Sequence, residues 1–172
     1  AMFVLGGYVI DLLEDTDLWK IESRDGAIMD GEAEEHIREL IGVLSRYCNL
    51  LGVRSTGRLR SWEKDKSEPV LSAYIKHATV PVINLESELH HPCQAMDDWM
   101  TLQETLGNTA HNKKITLAWT YHPKQRGMAV PISFAEVATR LGANVTIACP
   151  EPYRLPDEFN KILESNSHKS GG

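Results

Sequence analysis

Val80-Pro81-Val82-Ile83-Asn84-Leu85-Glu86-Ser87-Glu88-Leu89-His90-His91-Pro92-Cys93-Gln94 is the stretch that decides the fold, because it joins a short apolar run to a proline-led helix start. Val80 to Leu85 is mostly apolar, with β-branched Val80, Val82 and Ile83, and reads as a strand ending near Glu86. Pro92 lacks an N–H and has a fixed φ, which suits the first helical position. His91 therefore falls at or near the N-cap and Gln94 in the first turn. The helix so begun runs from His91 to Leu106 and is closed by Gly107-Asn108.

The same strand-then-helix order recurs on both sides. Upstream, Asn49 to Arg54 reads as a strand and Pro69 to His77 as a helix. Before them, Gly7 to Leu13 reads as a buried strand, Glu14 to Arg24 as an excursion, and Gly31 to Tyr47 as an amphipathic helix. That helix carries Ile37, Leu40, Ile41 and Leu44 at helical spacing, with Glu32, Glu34 and Glu35 at its N-terminal end, where the macrodipole favours them. Downstream, Lys114 to Trp119 is a strand, Val130 to Leu141 a helix followed by Gly142, and Asn144 to Cys149 a strand. Short strands, apolar throughout and alternating with helices, predict the α/β class: a parallel sheet with right-handed crossovers, covered on both faces. The polar run Gly107 to Lys114 is the expected domain junction, dividing the chain into 1–108 and 109–172. Ser165 to Gly172 is polar and is expected to hold no element that packs.

Composition narrows the class. The 172 residues are 42% hydrophobic and 24% charged, which suits one globular domain or two small ones and argues against a disordered tail or a collagen-like rod. With 18 Lys+Arg against 24 Asp+Glu and a net charge of −6, the chain has no general attraction to nucleic acid or anionic membranes. Any anion must then be held locally. The three cysteines, Cys48, Cys93 and Cys149, are odd in number and far apart, so a reducing cytoplasm is expected rather than a disulfide framework. Ala1 to Ile10 is too short to span a bilayer and lacks the basic lead of a signal peptide.

In parallel α/β sheets ligands collect outside the carboxyl ends of the strands, which singles out Asp11, Arg54, Glu86 and Thr120. Arg54 forks two N–H donors onto a phosphate and stays charged at any relevant pH. The start of the helix led by Pro92 offers free N–H groups and partial positive charge, suited to phosphate or to an oxygen gaining charge during reaction. Glu86 lies beside the same crevice, where it either meets an ammonium or amide or caps the next helix. Arg58 and Arg60 read as a solvated loop, and Tyr121-His122-Pro123-Lys124 repeats the strand-then-His-Pro order in the second part. A zinc cluster of His90, His91, Cys93 and Asp97 has poor convergence and no second pair at metal spacing, so no metal is predicted. Cys93 fits packing in the first helical turn better than a nucleophile. Cys48 and Cys149 read as core, and Trp62, Trp99 and Trp119 as packing. Trp19, in a polar loop, calls for a ligand or another subunit.

Taken together, Met29-Asp30-Gly31, Gly52-Val53-Arg54, Ile83-Asn84-Leu85-Glu86, His91-Pro92-Cys93-Gln94 and Trp119-Thr120-Tyr121-His122-Pro123-Lys124 resemble the carbamoyltransferase family over almost the whole chain. His-Pro-x-Gln alone points to aspartate/ornithine-type transcarbamylases. The Cys within it and the Trp-Thr-Tyr-His-Pro segment are similar to the acylated-ornithine branch. The resemblance implies a two-domain α/β enzyme, cytoplasmic and assembled as a homotrimer. It would need no cofactor to transfer a carbamoyl group from carbamoyl phosphate to the side-chain amine of N-acetylornithine, in arginine biosynthesis. By position it implies that Arg54 holds the phosphate and carbonyl oxygen, that His91 donates to that oxygen, and that Gln94 orients the carbamoyl amide, with Pro92 and Cys93 completing the motif. It implies that Glu86 contacts the acylated ornithine and that Trp19 reaches the adjacent subunit's site. Glu34 matches the position where acetylornithine enzymes carry Glu and succinylornithine enzymes Pro, although the Glu86 to His91 spacing is closer to the succinyl relatives.

The departures are equally specific. The family's Ser-x-Arg-Thr-Arg phosphate loop is expected before residue 1, and its His-Cys-Leu-Pro segment, substrate lysine and final arginine beyond residue 172. The chain therefore reads as the middle of an enzyme roughly twice as long. Ile132 stands where the branch usually has Asn in an Ala-Val-x-Asn-Ser stretch. Succinylornithine or plain ornithine as acceptor, and a non-catalytic α/β module, are the competing readings.

Overall fold

The structure is a computed structural model that describes residues 4–13, 20–24, 26–56, 62–107, 111–123 and 127–172. Trp19, Arg58, Arg60 and Lys124 lie outside the described residues. The chain divides into two compact units, 1–51 with 73–81, and 52–72 with 82–172.

In the first unit, β1 (Ile21–Glu22) pairs in parallel with β2 (Glu35–His36), and α1 (Ile37–Tyr47) follows at once. The helix starts later than its acidic lead suggests, because Glu35 and His36 are committed to the strand pair and the His36 ring accepts the Arg38 N–H as N-cap. Glu32 and Glu34 thus lie outside the helix, and only Glu39 is acidic in its first turn. Ile37, Leu40 and Ile41 are buried as their spacing requires. Residues 7–13, expected as a buried strand, form no strand, and Tyr8 is 95% exposed. An apolar run becomes a strand only where a neighbouring edge takes up its backbone hydrogen bonds, and none of the described strand pairs includes it.

The remaining elements begin with β3 (Leu51–Arg54), α2 (Trp62–Asp65), α3 (Pro69–His77) and β4 (Val82–Glu86). Helix α3 has the bounds its sequence predicts. After β4 come α4 (Pro92–Leu106), β5 (Lys114–Ala118), α5 (Ala129–Arg140), β6 (Asn144–Ala148) and α6 (Asp157–Ser170). Leu51 N–H donates to Pro81 O at 2.9 Å and Ser55 N–H to Glu86 O at 2.8 Å, so β3 and β4 advance in the same direction. β5 and β6 are parallel in register from Lys114↔Asn144 to Ala118↔Ala148. The fold is α/β.

Two sequence expectations are corrected here. Among the described residues the strands form separate pairs rather than one sheet, and β3 to β6, expected to be apolar throughout and covered on both faces, alternate between covered and exposed residues. Ile115, Leu117, Val145 and Ile147 pack against the core of α5 and α6 residues, whereas Thr116, Ala118, Thr146 and Ala148 stay exposed. The polar residues after Ser165 are helical to Ser170, because α6 is anchored by buried Phe159 and Leu163 one turn apart and simply continues. Asp157 and Glu158 at its start and His168 and Lys169 at its end complement the dipole. Ser170 Oγ–H donates to Thr139 O at 2.7 Å. Gly142 ends the turn after α5 at φ +81°, where an added Cβ would meet the His111 ring at 2.5 Å, so glycine is required twice over.

In the second unit the largest apolar clusters gather around α4, α5 and α6. Leu89, Ile132, Ala135, Leu155, Phe159 and Leu163 form one cluster, and Trp99, Phe134, Ala138 and Ala143 another. Trp99 packs as expected, and Trp119 joins the first cluster while its Nε1–H donates to Tyr153 O at 3.1 Å. Trp62 is more exposed and stacks edge-on against Phe159. The three cysteines are free, and Cys48 and Cys149 are half-buried rather than core.

Candidate functional site

β3 and β4 end side by side, which puts Arg54 and Glu86 on one rim, and the connection 87–91 returns the chain to that rim as α4 begins. Arg54 Nη2 lies 2.8 Å from Glu86 Oε2, and His91 Nε2 lies 3.6 Å from the same oxygen. Arg54 is two-thirds exposed, while Glu86 and His91 are mostly covered, so the guanidinium faces outward over a sheltered carboxylate. Glu86 Oε2 is enclosed yet receives no hydrogen bond of good direction, even with Arg54 so near. Arg54 holds it by charge, and the His91 ring lies beside it.

His91 is the N-cap of α4, and Pro92 occupies the first turn as the sequence predicts. Gln94 N–H donates to His91 Nδ1 at 3.3 Å. A ring nitrogen that accepts carries no proton, so in neutral His91 the proton sits on Nε2, the atom turned toward Glu86. Capping thus leaves His91 with one N–H donor aimed at the rim. The Gln94 amide donates to Asp98 Oδ1 at 3.0 Å, a turn further along α4, and Cys93 Sγ–H donates to Asn84 O at 3.7 Å.

The structure therefore brings together Arg54, Glu86, His91, Pro92, Cys93 and Gln94. Glu34 belongs to the other unit, where its N–H donates to Lys20 O at 3.2 Å and it lines a groove with Met29, His36 and Arg38. Asp11 follows no strand, and Thr120 is exposed after β5. Among the described residues, no three His, Cys, Asp or Glu side chains converge as a metal site.

A second group behind the rim escaped the sequence reading. His90 Nδ1 lies 3.7 Å from Glu68 Oε1, and its Nε2 lies 3.7 Å from Glu136 Oε1. Glu136 first and Glu68 second stabilise the imidazolium and push His90 up to about 9. Glu136 is held below the usual carboxylate range by His90. Burial works against ionisation of Glu68, but contacts from His90 and Ser87 prevail and lower it. Burial pushes Glu88 upward, opposed by the Ser55 hydroxyl at 3.3 Å. Ser133, 5% exposed on α5, accepts the His91 N–H at 2.7 Å. The available signal was a serine set between Ile132 and Phe134 on an apolar helix face, since a buried hydroxyl requires a partner.

An α/β module that ends adjacent strands on Arg54 and Glu86 and caps the next helix with a histidine has the layout in which parallel α/β domains gather ligands at the carboxyl ends of their strands. Comparison with known proteins gives the family. Residues 1–104 match the model described as "Aspartate/ornithine carbamoyltransferase, carbamoyl-P binding domain". The chain is 42% identical over 172 residues to an N-acetylornithine carbamoyltransferase of Xanthomonas campestris pv. campestris, covering 99% of this chain and 50% of that protein. It is 37% identical over 159 residues to an N-succinylornithine carbamoyltransferase of Bacteroides fragilis, covering 92% and 49%. A crystal structure of acetylornithine transcarbamylase complexed with acetylcitrulline superposes with a TM-score of 0.94 at 42% identity, over 99% of this chain and 52% of that one. The chain belongs to the aspartate/ornithine carbamoyltransferase family. It spans about half the length of the curated relatives it matches.

Proposed function

We propose that the whole protein transfers the carbamoyl group of carbamoyl phosphate to the side-chain amine of N-acetyl-L-ornithine, giving N-acetyl-L-citrulline and phosphate. Within it, 1–108 supplies part of the carbamoyl-phosphate domain and 109–172 part of the acylornithine domain. The observation that carries this reading is the capped His91, whose Nε2–H sits beside Arg54 and Glu86 on one rim. In the reaction the amine nitrogen attacks the carbamoyl carbon, the carbon–oxygen bond to phosphate breaks, and the departing phosphate takes up the proton that the amine gives up. Arg54 binds the phosphate and the carbonyl oxygen. His91 donates Nε2–H to that oxygen as it gains charge, and Gln94 orients the carbamoyl amide, with Pro92 and Cys93 fixing the turn between them. Such fixed donors act by positioning and by stabilising charge in the tetrahedral intermediate, and need no cofactor. Glu86 is the contact for the acylated ornithine.

The acetyl acceptor is supported by Glu34 and by the higher identity to the acetylornithine relative than to the succinylornithine one. Trp19 is assigned to a neighbouring subunit's site in a cytoplasmic homotrimer. Calorimetric titration of carbamoyl phosphate and then N-acetylornithine tests the reading, with citrulline formation measured on the same sample. The chain joined to the portion of a relative that it does not span is expected to bind and turn over. Carbamoyl phosphate binding that survives Arg54→Ala unchanged refutes the site.

A further inference from the structure

The five residues between β4 and α4 are tied down unusually well. Ser87, 1% exposed, accepts from Asn84 Nδ2 at 2.8 Å and from the His90 N–H at 3.3 Å, and it donates to Glu68 Oε1. Its own N–H donates to His90 O at 2.7 Å, closing a turn over residues 87–90. That turn fixes the chain direction up to His90 but leaves open how His91 enters α4.

The entry is set from α5. Ser133 and Glu136 stand one turn apart on that helix and take two successive residues of the connection. Ser133 Oγ receives the His91 backbone N–H, and Glu136 Oε1 faces the His90 ring. The groups around His90 are Glu68 from the turn before α3, Glu136 from α5 with Arg140 Nη2 at 3.3 Å from its other oxygen, and the Phe159 ring from α6. Each ring nitrogen of His90 meets a carboxylate, so both must carry protons for the clamp to hold.

We propose that Ser133 and Glu136 are positioning residues for His91: together they hold its backbone so that the ring caps α4 through Nδ1 and presents Nε2–H to the rim. The proposal rests on the carbamoyl-transfer reading only for what that N–H is used for. It links the two halves of the chain, since a helix beyond residue 108 sets the donor on the carbamoyl-phosphate side. It also makes the donor's geometry depend on His90 staying protonated.

The test is histidine-ring nitrogen NMR on the ¹⁵N-labelled 172-residue chain, through the alkaline titration of His90 near 9. In the unsubstituted protein His91 is expected as a single Nε2–H tautomer, with its signals moving when His90 loses its proton. Glu136→Gln is expected to lower the His90 midpoint, and the His91 signals are expected to follow it. Ser133→Ala is expected to give mixed His91 tautomers, and Ser133→Thr to restore the single form. A His91 ring that stays Nε2–H in Ser133→Ala and ignores the titration of His90 overturns the inference. Should Ser133→Ala fail to fold, Ser133→Thr and Glu136→Gln decide it. Carbamoyl phosphate titrated into the chain completed with the portion of a relative that it does not span keeps the two ideas separate. Correct tautomers with no binding by that completed chain would sink the proposed function and leave the positioning inference standing.

Discussion

Glu86 Oε2 lies 2.8 Å from Arg54 Nη2, so the residue best suited to an anion already faces a carboxylate of this chain. A phosphate dianion entering this rim competes with that carboxylate. Arg54 is 67% exposed, which places the pair at the solvent-screened end of the scale, worth about 1 kcal/mol near 4 Å in water. Glu86→Gln is therefore expected to tighten carbamoyl phosphate binding by about five-fold. It should also weaken capture of the acylornithine. Calorimetry that shows unchanged or weaker phosphate affinity in this variant would remove Glu86 as the internal competitor.

The capping that His91 performs and the donation proposed for it are separable tasks. Replacing a good cap by alanine costs about 1 kcal/mol, whereas asparagine caps as well as any residue. His91→Ala should lower chain stability by roughly that amount, and His91→Asn should retain it. Both lack the Nε2–H, and in an enzyme completed with the rest of the sequence both should lose about 10²-fold or more in turnover, as loss of an oxyanion donor does. Chemical denaturation and the citrulline assay read the two tasks independently. Near-normal turnover in either variant contradicts the assigned role.

The legible part of this site was local. Pro92 at the helix start fixes His91 as cap and Gln94 in the first turn, and strand ends bring Arg54 and Glu86 to one rim whichever helices cover the sheet. Ser133 and Glu136 were illegible for a physical reason. They reach His91 and His90 across 42 and 46 residues of chain, and no period or spacing in the sequence records which helix face a loop will settle on. The apolar run 7–13 misled in the opposite direction, because hydrophobicity states a demand for burial but not whether a neighbouring strand meets it.

The His90 clamp gives stability a pH window whose sign can be worked out. His90 is raised from 6.5 to about 9, so its contribution is complete below 6.5 and is lost as pH rises through about 9. Glu68 and Glu136 are lowered from 4.5, so theirs is complete above 4.5 and is lost as pH falls. Glu88 is raised by burial and runs the other way, favouring the folded state most below 4.5. The melting temperature should therefore be highest between about 4.5 and 6.5 and decline toward 9. In His90→Gln the alkaline decline should vanish. An unchanged decline would show that another group governs it.

Ile132 is 1% exposed, within the cluster of Leu89, Ala135, Leu155, Phe159 and Leu163, at the position where the resemblance to the acylated-ornithine branch leads one to expect Asn. An asparagine here would bury a carboxamide among hydrocarbon, and an unpartnered buried amide costs about 1–3 kcal/mol on mutational scales, beyond the packing lost. The neighbouring Ser133 offers little relief, since side chains one residue apart on a helix do not face each other. Ile132→Asn is thus expected to destabilise the chain by about 3 kcal/mol in urea unfolding, whereas Ile132→Val should cost about 1 kcal/mol. The His91 ring signals should shift in the first variant and not in the second, because the helix face carrying Ser133 must move to solvate the amide. An asparagine tolerated without loss of stability would mean that this face of α5 is open to a polar ligand, and that the isoleucine is there for specificity rather than packing.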